Sequence, residues 1–381
     1  MNRRVAVAGV ALSDVGSTPS KTAYGLIAQA SKRALQDAGL TPADIDGLGS
    51  TSTGTMAPID VGEYLGVQPR WVDSTSVGGA AWEVMAAHGA DAIARGHADV
   101  VLLTYGSTAR SDLRKGLRTA SLNWGSRGPQ QWEAPYGHTL ISKYAMAARR
   151  HMYEYGTTIE QLAEIAVSAR FNARDNAEAS YRDPITIDDV QSGPMIADPF
   201  TKLHCCIRSD GGAAVVLVAE DRVPDLRQAP IWVLGTGECT MHISTSQWPD
   251  MTTGPAAISG RLAFDRAGLT PQDVDVAELY DAFTYMLLVT LEDLGFCKKG
   301  EGGPFVADGR LRLGGELPTN TDGGGLSAVH PGQRGLFLLV EAVRQLRGEC
   351  GPRQVPEARI AVASGTGGWF CSSGTVVLGR D

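Results

Sequence analysis

No apolar run in this 381-residue chain approaches the roughly 20 residues that a membrane-spanning helix needs, so no membrane span is expected. The apolar stretch at residues 5–10 is too short and too glycine-punctuated for a signal peptide. Positive charge is in deficit: Lys and Arg total 34 against 42 Asp and Glu, a formal charge of −8. Without excess positive charge to displace counterions, a global nucleic-acid-binding role is excluded, while a local basic patch for a phosphorylated ligand is not. Cysteine is sparse. Of Cys205, Cys206, Cys239, Cys297, Cys350 and Cys371, only the first two are close in sequence. Adjacent thiols suit neither a CxxC metal pair nor an ordinary disulfide. The chain is therefore expected to bind no metal or resident cofactor and to work in the cytoplasm with reduced thiols. A dinucleotide fingerprint is missing too, since Gly365-Thr366-Gly367-Gly368 has neither the spacing nor the following helix. What remains is ordinary globular composition, 43% apolar and 20% charged. The length suits two domains or one large duplicated one.

Glycine is plentiful, at 46 residues, and punctuates short apolar runs. Residues 5–10, 100–104, 213–218, 231–234, 360–363 and 375–378 read as buried strands. Between them, 22–36, 79–94 and 336–346 carry helical periodicity; Ala23, Leu26, Ile27, Ala30 and Ala34 share one helix face. Strands alternating with helices predict α/β layers. The chain also repeats itself. Ala38-Gly39-Leu40-Thr41-Pro42-Ala43-Asp44-Ile45-Asp46 returns as Ala267-Gly268-Leu269-Thr270-Pro271-Gln272-Asp273-Val274-Asp275, identical at seven of nine positions. After each copy come a glycine-preceded helix, a strand and a glycine turn, in the same order. Two halves are expected, 1–222 and 223–381, with about 105–205 inserted in the first. The duplication makes Ser76 and His330 pseudo-equivalent, each at a helix N-terminus where free N–H groups favour developing negative charge.

Several constellations carry chemistry. The loop Asn320-Thr321-Asp322-Gly323-Gly324-Gly325 lets backbone approach a ligand, with Gly324 at its centre, and leads to His330. The plainer reading is a loop histidine satisfied by a carbonyl. Tyr280-Asp281 ends a β-like segment, a good place for a cleft. The alternative is a hydrogen-bonded core tyrosine with Asp281 capping a helix. The amides of Gly367 and Gly368 suit an oxyanion hole or a plain tight turn. Arg110, Arg114, Lys115 and Arg118 form a basic cluster in the insertion, either a solvated face or a contact for a phosphorylated cofactor. Cys205 and Cys206 read as core residues.

Together with Leu203-His204-Cys205-Cys206, Ser209-Asp210-Gly211-Gly212, Leu317-Pro318-Thr319-Asn320-Thr321 and Glu341-Ala342-Val343-Arg344-Gln345-Leu346, these residues resemble the thiolase superfamily over essentially the whole chain. The likeness is strongest to its lipid-transfer-protein branch, related to the sterol-carrier-protein thiolases. The resemblance implies duplicated βαβαβαββ halves in five α-β-α-β-α layers, a homodimeric core and a CoA thioester as substrate. It places the family's nucleophilic Cys at Ser76, its second reactive Cys at Gly365, the residue opening its third motif at Tyr280 and its GHP-type His at His330. Both catalytic thiols are thus replaced. An alcohol has essentially no alkoxide at neutral pH and needs a dedicated base, which argues against classical thiolysis.

Retro-aldol cleavage needs no covalent nucleophile. A base takes the β-hydroxyl proton, the Cα–Cβ bond breaks, donors hold the enolate and an acid reprotonates carbon. His330 and Tyr280 suit the acid–base work, with Asp281 and Ser76 beside them, and Gly324, Gly367 and Gly368 suit the oxyanion. Steroid side-chain-cleaving aldolases of this branch are similar in having Tyr at the Tyr280 position. They work with a small zinc-ribbon and OB-fold acyl-CoA-binding partner. Ala328 stands where such aldolases carry a second Tyr. The resemblance implies a lyase acting on a bulky β-hydroxyacyl-CoA. The alternatives are an acyltransferase or condensing enzyme using Ser76, and a non-catalytic acyl-CoA- or lipid-binding subunit.

Overall fold

The computed structural model describes residues 3–117 and 129–381. Its strands are β1 (Val5–Leu12), β2 (Gly47–Gly49), β3 (Trp71–Asp73), β4 (Val100–Ser107), β5 (Met195–Ala197), β6 (Phe200–Thr201), β7 (Gly211–Ala219), β8 (Ile231–Thr240), β9 (Val276–Leu279), β10 (Ile360–Gly367) and β11 (Ser372–Gly379). Its helices are α1 (Ala23–Ala38), α2 (Ala57–Leu65), α3 (Ala81–Ala94), α4 (Ala109–Arg114), α5 (Leu140–Tyr155), α6 (Ile159–Ala173), α7 (Ile187–Gln191), α8 (Ala256–Ala267), α9 (Thr284–Leu294), α10 (Gly302–Phe305) and α11 (Gly335–Arg347). None of the described helices is long and apolar enough to cross a membrane.

The strands run β3-β2-β4-β7-β1 and then β8-β11-β10-β9. The two blocks join only where Ala6 and Val7 of β1 pair with Trp232 and Ile231 of β8. Each block repeats the other: β1, β7, β4 and β2 correspond to β8, β11, β10 and β9, with the same antiparallel and parallel senses. α3 and α11 lie between the blocks and pack on both, while α1 and α8 each cover an outer face. The result is five layers. Alternation in the strands follows from that. Val5, Val7, Val101, Leu103, Val215 and Leu217 face the central helices, and Ala6, Ala8, Val100, Leu102, Val216 and Val218 face α1. Strands covered on both faces read as continuous apolar runs, which is why the sequence shows them.

The repeated segment folds the same way twice. Thr41 and Thr270 cap Pro-opened turns, their hydroxyls bonding Asp44 and Asp273 at 2.8 Å. Asp46 then accepts the amides of Asp99 and Val100, and Asp275 those of Arg359 and Ile360. Each aspartate thereby anchors the first residues of the neighbouring strand. A further correspondence was hidden in glycine. A Cβ on Gly9 of β1 would stand 2.2 Å from the Ala34 carbonyl oxygen of α1, and one on Gly235 of β8 would stand 2.1 Å from that of Ala263 in α8. Glycine lets each outer helix lie directly on its strand.

The structure extends several expected strands. β8 runs on to Thr240 and β10 to Gly367, because Gly235, Gly237, Gly365 and Gly367 stay in the ladder without apolar side chains to announce it. The segment after β4 supplies α4 to α7, the ribbon β5–β6 and one rim of a large cleft.

Candidate active site

The cleft, of about 770 Å³, opens where the strand ends of the second block meet the start of α3. Ser76 to Gly79, Tyr280, His330 and Gly367 to Trp369 line it. Leu140, Lys143, His242, Phe283 and Met286 line it too. That volume lies within the range of small-molecule sites.

Tyr280 continues β9, its amide donating to Ser364 of β10 at 3.0 Å. Its ring lies against Gly79, where a Cβ would stand 2.4 Å from Cε2, so that position must be glycine. The Tyr280 hydroxyl accepts the Arg334 amide at 3.1 Å, at the N-terminus of α11. Burial pushes the phenol well above its ordinary value, so it is protonated. His330 meets this ring edge-on, with centroids 5.6 Å apart and planes at 90°. The His330 amide donates to Ser209 Oγ at 2.9 Å, and Nε2 has no hydrogen-bond partner. Burial first and the Arg334 charge second pull the imidazole down to about 4, which keeps it neutral. A neutral imidazole can accept a proton and a protonated phenol can donate one.

What holds this pair is Arg334, which is fully buried. Its Nη2 reaches both oxygens of Asp322 at 2.6 and 2.7 Å, and Nη1 donates to the Val329 carbonyl at 2.8 Å. The sequence reading missed Arg334; its signal was a cation inside an otherwise apolar helix start. The structure also corrects the assignment of Asp281 and Gly324. Asp281 is fully buried and accepts the amides of Gly325 and Leu326 at 2.7 and 3.2 Å, at the head of a single π turn from Gly324 to Ala328. Gly324 donates its amide to Asp322 at 2.8 Å. Neither lines the cleft; both shape the loop that carries His330. His330 itself lies five residues before α11. The group actually seated at the α11 N-terminus is the Tyr280 hydroxyl, a second correction.

Ser76 is exposed in the cleft lining, with no base hydrogen-bonded to it among the described residues. Gly367 and Gly368 line the cleft as well. A Cβ on Gly78 would stand 3.0 Å from the Gly368 nitrogen, so the two glycine turns face each other. Arg110, Arg114 and Lys115 do not line the cleft. The Arg110 amide donates to Asp210, Lys115 donates to the Pro19 carbonyl at 3.0 Å and Arg114 is exposed. Arg118 lies outside the described residues.

Among the described residues, the Lys or Arg lining the cleft is Lys143 of α5, paired with Glu133 at 2.9 Å and 3.5 Å from the Trp369 ring centre. Burial opposes ionisation of Glu133, but the Ser246 amide and Lys143 hold its carboxyl down at about 2. Cys206 and Cys371 also line the cleft, which the sequence reading did not anticipate. Burial raises both thiols, Cys371 to about 11, so neither is a thiolate at neutral pH. Among the described residues, no group of His, Cys, Asp and Glu has the arrangement of a metal site.

The state of His330 predicts a pH profile. Protonation removes its acceptor, so activity falls as pH drops through its folded value. kcat/KM for a reaction using His330 as base is expected to stay level from neutrality and decline only toward about 4. An ordinary imidazole would place the decline near ~6.5. Initial rates across buffers of constant ionic strength check this, and a midpoint at the ordinary value would contradict it.

Comparisons with known proteins agree on one lineage. Residues 237–380 match the family described as thiolase C-terminal domain-like. The chain is 35% identical to a steroid side-chain-cleaving aldolase of Thermomonospora curvata, over 99% of this chain and 98% of that protein. It is 36% identical to an acetyl-CoA acetyltransferase of Methanothermobacter thermautotrophicus, over 96% and 97% respectively. The solved structure titled Ltp2-ChsH2(DUF35) aldolase superposes with a TM-score of 0.91 at 32% identity, covering 100% of this chain and 98% of that one.

Proposed function

Since the chain belongs to the thiolase superfamily, with the five-layered fold of that family, we propose that it cleaves a bulky β-hydroxyacyl-CoA by a retro-aldol reaction. The products are a ketone or aldehyde and a short acyl-CoA. The observation that carries the reading is the Tyr280–His330 pair, a protonated phenol edge-on to a neutral imidazole in the cleft wall. His330 takes the β-hydroxyl proton as the Cα–Cβ bond breaks. Gly367 and Gly368 face the thioester oxygen on which the enolate charge collects, and Tyr280 protonates the enolate carbon. Such acid–base help is worth roughly 10²–10⁴-fold.

The reaction uses no cysteine nucleophile, which the high proton affinity of both cleft thiols supports. The substrate is a steroid side-chain thioester, by likeness to the aldolase of T. curvata. The double name of the superposed aldolase supports a protein partner, which we take to be a small zinc-ribbon and OB-fold protein flanking a homodimer. Arg110, Arg114 and Lys115 stand outside the cleft lining, so any service to the CoA phosphates is from its surroundings; for Arg118 the role in CoA binding is the one the family likeness implies. All six cysteines are unpaired, in keeping with a cytoplasmic setting, and no resident cofactor is needed.

A second reading, acyl transfer through Ser76, is favoured by the 36% identity to an acetyltransferase. The Ser76→Ala variant separates the two. Retro-aldol cleavage is expected to stay within about threefold of wild type, because Ser76 makes no contact peculiar to the transition state. Loss of turnover by a hundredfold or more, with a covalent acyl group trapped on wild-type Ser76, would establish acyl transfer instead.

A further inference from the structure

Glu83 is a buried acid that the retro-aldol mechanism leaves unused. It lies in the first turn of α3 and is completely inaccessible to solvent. Neither carboxyl oxygen has a hydrogen-bond partner. A buried, unpartnered carboxyl in a native protein needs a reason. Three glycines make room for it. A Cβ on Gly365 of β10 would stand 2.0 Å from Glu83 Oε2, one on Gly335 of α11 would stand 2.4 Å from the same atom, and one on Gly374 of β11 would stand 2.8 Å from Glu83 Cβ. Gly335 directly follows Arg334, whose amide binds the Tyr280 hydroxyl. The acid and the phenol therefore flank the same turn of α11, and the Tyr280 ring rests on Gly79, four residues before Glu83.

We propose that Glu83 is a positioning residue of the active site, a proton store that reloads Tyr280. This rests on the retro-aldol reading. When the Cα–Cβ bond breaks, its electron pair passes into the enolate and the β-hydroxyl proton goes to His330. Tyr280 gives its proton to Cα and is left as a phenolate, stabilised by the Arg334 amide. Glu83, with no partner holding either oxygen, turns and gives its proton to the phenolate. His330 then releases its proton to solvent, and once product leaves Glu83 regains a proton through the hydroxyl of Tyr280, which borders the cleft. Burial keeps the carboxyl protonated far above the ordinary carboxylate range, which supports this assignment. The titratable group that senses Glu83 is Tyr280. Beside it, the Arg334 charge is matched by Asp322, and β10, β11 and α11 meet Glu83 at Gly365, Gly374 and Gly335.

The test uses the full chain and propionyl-CoA in D₂O, where Tyr280 and Glu83 run in reverse and exchange Cα hydrogen for deuterium. Wild type is expected to exchange. Glu83→Gln, which fills the same space without an acidic proton, is expected to exchange at least tenfold more slowly with unchanged propionyl-CoA affinity, and Glu83→Asp to recover part of the rate. Exchange by Glu83→Gln within twofold of wild type would overturn the role of Glu83 alone. Failure of wild type to exchange at all would overturn the retro-aldol reading and the proposal with it. Should the Gln variant not fold, the wild-type pH profile decides. Exchange begins with an ionised Glu83 taking the Tyr280 proton, so a rate rising on the alkaline side below pH 10 supports the relay, and a level rate up to pH 10 overturns it.

Discussion

Replacing Tyr280 with phenylalanine is expected to lower kcat for cleavage by about 10²–10⁴-fold while leaving the fold and CoA-ester affinity intact. The ring itself is held by the Gly79 backbone and by edge contact with His330, and phenylalanine keeps both. Only the hydroxyl is lost, and with it the proton donor and the acceptor for the Arg334 amide. That amide would be left without its partner in a buried place, a loss of about 1–3 kcal/mol in stability at most. Steady-state release of short acyl-CoA measures the catalytic effect. A kcat within about threefold of wild type would remove Tyr280 from the chemistry.

Asp322→Ala is expected to destabilise the fold by about 3–5 kcal/mol, because it strands a fully buried guanidinium. Burial on its own would raise the Asp322 carboxyl; Arg334 and the Gly324 amide bring it below the ordinary value. Without it, Arg334 has only the Val329 carbonyl as a hydrogen-bond acceptor, with Asp281 3.6 Å from Nε. Activity falls as well, since the backbone of Arg334 carries the amide that orients Tyr280. Glu178→Ala makes the control. Its partner Arg344 is part-exposed, and pairs of that kind are worth about 0–1 kcal/mol. Urea titration of the two variants separates them, and equal midpoints would contradict the importance assigned to the buried pair.

The repeat was legible because its chemistry is local. Thr, Pro and Asp at fixed spacing specify a capped turn wherever they occur, and the two copies take the same form. Tyr280, His330, Gly367 and Gly368 were legible because glycine loops and strand ends are where such folds expose reactive groups. Other residues of the lining were not. Lys143 and Glu133 come from the inserted segment and His242 from the end of β8, and nothing in their own neighbourhoods points to the cleft. Asp281 and Gly324 were drawn into the candidate site by their sequence neighbours, yet a carboxylate beside successive glycines binds their amides as readily as it serves a substrate. Glu83 was concealed differently. A lone charge in a helix reads as the solvent face, but α3 lies in the central layer, and its stretch at His88 and Asp91 reaches solvent while Glu83 is buried with Trp82, Met85 and Ile93.

The central claim is that carbon–carbon cleavage proceeds in this protein without acyl transfer. The direct measurement incubates the chain, with the proposed partner protein added, with a branched steroid β-hydroxyacyl-CoA, omits free CoA and follows the products by mass spectrometry. Equal amounts of steroid ketone and short acyl-CoA are predicted. Intact substrate that turns over only when free CoA is added would contradict the claim.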